Sequence, residues 1–132
     1  MTGDAISQKK IAAYSNKLIL IIHTTLNKLA RFWIKNLKLD RHPEGGYFTN
    51  TYTSDKKIEL RDYDGFRYSC TAIYYLLTGN QFASFHIMKS DEIWHFYSGS
   101  SLTLHIIDPK GQLNKILVGP NLEEGERFQV IV

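Results

Sequence analysis

An antiparallel β sandwich or barrel preceded by a helix is the architecture this sequence predicts, and three observations carry the expectation. From Tyr47 onward, about seven or eight short runs rich in aromatic and β-branched residues follow one another. Turn signals such as Gly79-Asn80 and Pro109-Lys110-Gly111 separate them. Helical periodicity is confined to residues 17–38, with no βα alternation, sustained heptad or internal repeat to suggest another class.

The elements follow in order. Residues 1–16 read as a polar lead-in. In residues 17–38, Leu18, Ile22, Leu26, Leu29, Trp33 and Leu37 recur every three or four positions and form one apolar stripe, which predicts an amphipathic helix. DRHPEGG (40–46) breaks it, because Pro43 disfavours helix at His42 and Gly45-Gly46 permits a turn. YFTNTYTS (47–54) alternates as a strand, with Tyr47, Thr49, Thr51 and Thr53 set against Phe48, Asn50, Tyr52 and Ser54. Ile58 and Leu60 suggest a short strand within a polar loop. FRYSCTAIYYLLT (66–78) reads as one strand and QFASFHIM (81–88) as the next. EIWHFYS (92–98) puts Glu92, Trp94 and Phe96 on one face and Ile93, His95 and Tyr97 on the other. SLTLHIID and QLNKILVG (101–108 and 112–119) form a hairpin, with His105 expected on its exposed face. PNLEEGE is a loop, and RFQVIV (127–132) is a last strand that must pair or leave an open edge.

A chain of 132 residues suits one domain. The organisation expected is a basic segment and amphipathic helix over 1–38 and a β domain over 39–132. Residues 1–41 carry eight Lys/Arg against two acids, and residues 42–132 carry eight against eleven. The domain is therefore mildly acidic, which argues against a nucleic-acid face. The LILII run is too short to cross a bilayer, so no membrane partner is expected. Cys70, the single cysteine, permits no intrachain disulfide and fits a reducing, cytoplasmic setting; its apolar surroundings suggest a buried thiol.

The chemistry concentrates in SFHIMKSDEIWHFYSG (84–99). A polar group on the face of Trp94 and Phe96 suggests a lined cavity, and a carboxylate such as Glu92 among aromatics wants a hydrogen-bond partner. The spacing His86-x-Met88-x3-Glu92-x6-Gly99 resembles the first cupin motif, in which two histidines and a glutamate hold one divalent metal. Met88 stands where the second histidine belongs, and a thioether is a poor ligand for such a metal. No metal is therefore assigned, and a metal-dependent cupin enzyme is the alternative.

HPEGGYF (42–48), TAIYYLL (71–77) and SDEIWHFYSG (90–99) together are similar to a bacterial and fungal cupin family of unknown function, over about residues 30–132. The resemblance implies an RmlC-like jelly-roll barrel, often dimeric, with a small-molecule pocket inside. The family continues beyond the end of this chain, so a shortened member is implied, possessing an incomplete C-terminal side. GGYF is also similar to the opening of sugar-nucleotide epimerases, which use a histidine base and no metal. By that analogy His86 is the base and Glu92 its hydrogen-bonding partner, with His42, Tyr47, Phe48, Tyr52, Arg67, Trp94 and His95 as ligand contacts. The family's glutamate and arginine after GGYF are Asn50 and Thr53 here. The expected function is small-molecule binding with metal-independent isomerase or epimerase chemistry on a sugar-like or carboxylate ligand. A non-catalytic, shortened cupin acting through homodimerisation is the other alternative.

Overall fold

The computed structural model describes residues 9–15, 28–59 and 64–132. In chain order the elements are β1 (Lys9–Ser15), α1 (Lys28–Leu37), β2 (Asp40–Arg41), β3 (Tyr47–Thr53), β4 (Lys57–Glu59) and β5 (Phe66–Tyr68). They continue with β6 (Thr71–Leu76), β7 (Phe82–Met88), β8 (Ile93–His95), β9 (Leu102–Ile107), β10 (Leu113–Val118) and β11 (Gln129–Ile131). All of the named strand pairings are antiparallel. The chain divides into two compact units, one of residues 26–76 and one of 1–25 with 77–132. No described helix is long and apolar enough to cross a membrane.

In the unit of residues 26–76, α1 covers the second half of the expected helix; residues 17–27, with His23, lie outside the described residues. Its sheltered stripe is Ala30, Trp33, Ile34 and Leu37, while Leu29, expected on that stripe, is 53% exposed. The helix ends where Lys38 turns left-handed (φ 53°) and the Leu39 N–H reaches back to the Ile34 carbonyl at 2.9 Å. That bond closes the last turn and sends buried Leu39 inward.

Strand β3 pairs with β2 and β6. Thr51 is an extra residue in β3, since Asn50 opposes Ile73 and Tyr52 opposes its neighbour Ala72. This bulge reverses the faces beyond it. Simple alternation therefore fails here: Tyr52 joins the face of Tyr47 and Thr49, and Thr53 joins that of Phe48 and Asn50. The Asn50 Nδ2 donates to Thr53 Oγ1 at 3.0 Å, as residues on one face can.

The run 66–78 is two strands rather than one, because it breaks at Ser69-Cys70. There the Ser69 hydroxyl donates to Ser54 Oγ at 2.9 Å, and the Ser54 N–H bonds the Cys70 carbonyl at 2.9 Å. β5 pairs with β4 as a separate ribbon and β6 with β3. Cys70, expected buried, is an exposed free thiol because it sits in this break rather than in a packed strand. Leu60, expected beside Ile58 in a short strand, lies outside the described residues.

In the other unit the sheet order is β10-β9-β1-β7. Lys9–Ser15, read as part of a polar lead-in, is thus an interior strand between β7 and β9. Strand β7 bulges at Ser84-Phe85, where two residues oppose Ala12 alone. Ala83 and His86 consequently share a face, for they oppose Ala13 and Ile11, which in turn oppose Leu104 and Ile106. Ala83, Leu104 and Ile106 are buried, as is Val118 at the end of β10. Leu104 and Val118, the two that are fully buried, each contribute about 1.5–3 kcal/mol.

The β9–β10 turn is built by Asp108, whose Oδ1 accepts the N–H groups of Lys110 and Gln112 at 2.9 and 2.8 Å. β8 pairs with β11, so the final strand has its partner. Glu126, in the loop before β11, is buried. Its carboxylate accepts the Ser101 hydroxyl at 2.5 Å and the Asn121 N–H at 2.8 Å.

Candidate functional site

The β8 ladder carries the alternation read from the sequence. Glu92, Trp94 and Phe96 are half-buried, and Ile93, His95 and Tyr97 are exposed. Trp94 opposes buried Val130, and Glu92 exchanges both backbone hydrogen bonds with buried Val132 at 3.0 and 2.9 Å. The inner face therefore packs on two valines, which explains why the pattern is legible. The Glu92 carboxylate has the partner it needs, since the Trp94 indole N–H donates to its Oε2 at 2.8 Å.

His86 lies one residue past the β7 bulge and is half-buried. Its Nδ1 is 3.0 Å from the Ser84 carbonyl oxygen. A carbonyl only accepts, so Nδ1 is the N–H and the neutral ring carries its lone pair on Nε2. The bulge supplies that carbonyl. Ser84 thus orients the ring at Nδ1, a service the sequence reading gave to Glu92. Met88 shares the face of His86.

His95 is exposed; its Nδ1 lies 3.3 Å from Gln129 Nε2, and its ring is tilted against Tyr97 at 6.4 Å. Gln129 was not legible as its neighbour, because the pairing of β8 with β11 sets it there. His105 is half-buried rather than exposed and opposes Lys115. Burial, first, and the Lys115 ammonium, second, hold its pKa below the ordinary 6.5.

In the unit of residues 26–76, the HPEGGYF segment is a tight, internally bonded loop. The His42 N–H bonds the Gly46 carbonyl at 3.1 Å, and the Gly45 N–H bonds the His42 carbonyl at 3.1 Å. Gly45 and Gly46 take φ of 112° and 75°, which side chains with a Cβ resist. The His42 ring meets Phe48 edge-on at 4.7 Å and Tyr75 at 5.2 Å. The Tyr75 hydroxyl donates to the Gly45 carbonyl at 2.5 Å. Tyr75 is the residue sequence reasoning missed: it lies in the TAIYYLL run, where nothing but pairing with Phe48 distinguishes it from Tyr74.

Strand parity divides the proposed contacts in this unit. Phe48 and Tyr75 oppose one another on one face, with the His42 ring against both. Tyr47 and Tyr52 lie on the other, where the Arg41 guanidinium sits 4.6 Å over the buried Tyr47 ring. Tyr52 is 53% exposed. Arg67 lies on the exposed ribbon of β4 and β5. A single cavity wall made of Tyr47, Phe48 and Tyr52 together is therefore not formed by this strand.

Among the described residues no group of three or more His, Cys, Asp or Glu side chains could hold a metal. The cupin metal does not fit this donor set: Met88 replaces a histidine, and the Glu92 carboxylate is engaged by Trp94.

Antiparallel sheets, a lone described α-helix, a histidine in β7 and a glutamate just before β8 fit a jelly-roll protein of the cupin class. Residues 31–132 match the family described as Cupin superfamily (DUF985), and the chain belongs to that family. It is similar to the crystal structure of a protein from Shewanella oneidensis, with 34% identity and a TM-score of 0.70 over 83% of this chain and 64% of that one. It is similar also to a hypothetical protein from Leishmania major, with 32% identity and a TM-score of 0.66 over 78% of this chain and 64% of that one. This chain thus spans 64% of the length of each. No functionally curated protein matches it.

Proposed function

We propose that this cupin binds a small sugar-like or carboxylate ligand and acts on it, without a metal, by proton abstraction beside a carbonyl. The supporting observation is the tautomer of His86. Its Nδ1–H is held by the Ser84 carbonyl, which leaves Nε2 as the basic nitrogen on a half-buried face. Glu92, held by Trp94, is the acidic group of the same unit. A cytoplasmic setting belongs to this reading, supported by the free Cys70 thiol. The trial is thermal unfolding of the chain with nucleotide sugars and sugar acids. A stabilising ligand whose effect disappears in His86→Ala supports the reading, and an undiminished effect in that variant removes His86 from it.

A second reading, association of two copies, has its own observation. Ile93 and Ile131 oppose one another, 52% and 61% exposed, and Tyr97, 74% exposed, lies further along the same chain past the His95–Gln129 pair. Such a strip favours contact with another apolar surface. Sedimentation of the chain against Ile131→Glu tests it; an unchanged mass for the variant rules out this face.

A further inference from the structure

The two site histidines hold opposite tautomers. In His42, Nδ1 accepts the backbone N–H of Glu44 at 3.1 Å. A nitrogen that accepts carries no hydrogen, so the neutral ring bears its N–H on Nε2. Nε2 has no hydrogen-bond partner among the described residues. No buried side-chain nitrogen or oxygen there lacks a partner either. A half-buried His42 therefore brings Nε2–H to solvent.

Everything around the ring fixes that orientation. Phe48 and Tyr75 flank it edge-on, and the Tyr75 hydroxyl pins the Gly45 carbonyl of the same loop. Glu44, whose N–H sets the tautomer, lies between His42 and that pinned glycine. The ring in this tautomer carries no charge, and the guanidinium of Arg41, its neighbour in sequence, is stacked on Tyr47 at the opposite face of β3. An uncharged donor between aromatic edges suits an uncharged acceptor better than an anion, which would be desolvated without a countercharge.

We propose that His42 presents Nε2–H to a ligand carbonyl oxygen, with Tyr75 as the positioning residue that holds the loop and the tautomer. This goes beyond the proposed function and concerns the unit of residues 26–76 by itself, naming the ligand group that its loop recognises. The arrangement is a neutral imidazole acting as a hydrogen-bond donor.

Long-range proton–nitrogen NMR on the 15N-labelled chain tests it. The expected spectrum has His42 as the Nε2–H tautomer. Hydroxyacetone should shift the Nε2–H resonance saturably, whereas propane-1,2-diol, which lacks the carbonyl, should not. In Tyr75→Phe the tautomers should average and the hydroxyacetone response weaken roughly fivefold, the value of one net hydrogen bond. An Nδ1–H or averaged His42 in the unaltered chain overturns the proposal. So does a response to acetate without one to hydroxyacetone, and an unaltered response in Tyr75→Phe removes Tyr75 from it. If nucleotide sugars still shift His86 while hydroxyacetone leaves His42 unmoved, this proposal fails and the broader function stands. If neither histidine responds to any probe, both fail.

Discussion

Trp94 and Glu92, two positions apart on one face of the β8 ladder, are joined by an indole-to-carboxylate hydrogen bond of 2.8 Å. The glutamate is half-buried, so that donor satisfies an oxygen partly shielded from water. Trp94→Phe keeps most of the ring and removes the N–H. The expected loss is about 1–3 kcal/mol, the cost of stranding a shielded acceptor. Glu92→Gln retains a carbonyl acceptor and should lose less than about 1.5 kcal/mol. Urea unfolding of both variants checks the order, and equal losses would contradict this account of the pair.

Gly119 shows how a loop rich in acids became a structural joint. A Cβ at this position would collide with Glu126 Oε2 and stand 2.6 Å from Ser101 Oγ. Both atoms belong to the buried carboxylate network, so neither can withdraw without breaking a hydrogen bond. Gly119→Ala should destabilise by about 1–3 kcal/mol through overpacking. Glu126→Gln should be milder, because an amide can still accept the Asn121 N–H and donate to Ser101 Oγ. Thermal unfolding of the two variants tests the ranking.

These contrasts show what the sequence could reveal. EIWHFY was legible because one face packs against Val130 and Val132 and the other meets solvent, so burial follows the two-residue period. The motif segments led to the cupin class for the same local reason. The bulges at Thr51 and Ser84-Phe85 were not legible: one inserted residue reverses every later side chain and leaves no mark in composition. KKIAAYS was hidden differently. Its small and charged residues have little strand preference, and the slot between β7 and β9 makes it a strand. The tautomers of His42 and His86 depend on backbone groups two residues away, which spacing alone does not orient.

Lys38 is the one non-glycine residue at positive φ among the described residues. It occupies the left-handed position that closes α1, where a Cβ meets the following carbonyl at a cost of about 1–2 kcal/mol. Lys38→Gly relieves that strain but gives the unfolded chain more freedom, which offsets part of the gain. The net expectation is a stabilisation of up to about 1 kcal/mol. A rise in the urea midpoint with an unchanged slope would show it; a fall would mean that the Lys38 side chain makes a contact worth more than the strain.

His105 makes a pH prediction with a definite sign. Burial and the opposing Lys115 ammonium both disfavour the imidazolium, so its folded pKa lies below the unfolded 6.5. Between those two values the unfolded chain binds the additional proton. The contribution of His105 to stability is thus fully present above pH 6.5 and is lost as pH falls through that value towards the folded pKa. Lys115→Gln removes the second cause and leaves the first. The His105 titration, followed by NMR, should then move up towards 6.5 without reaching it, because burial remains. Stability measured from pH 7.5 down to about pH 5 should fall less steeply in the variant than in the parent. A downward shift of the titration would reverse the sign and remove Lys115 as a cause.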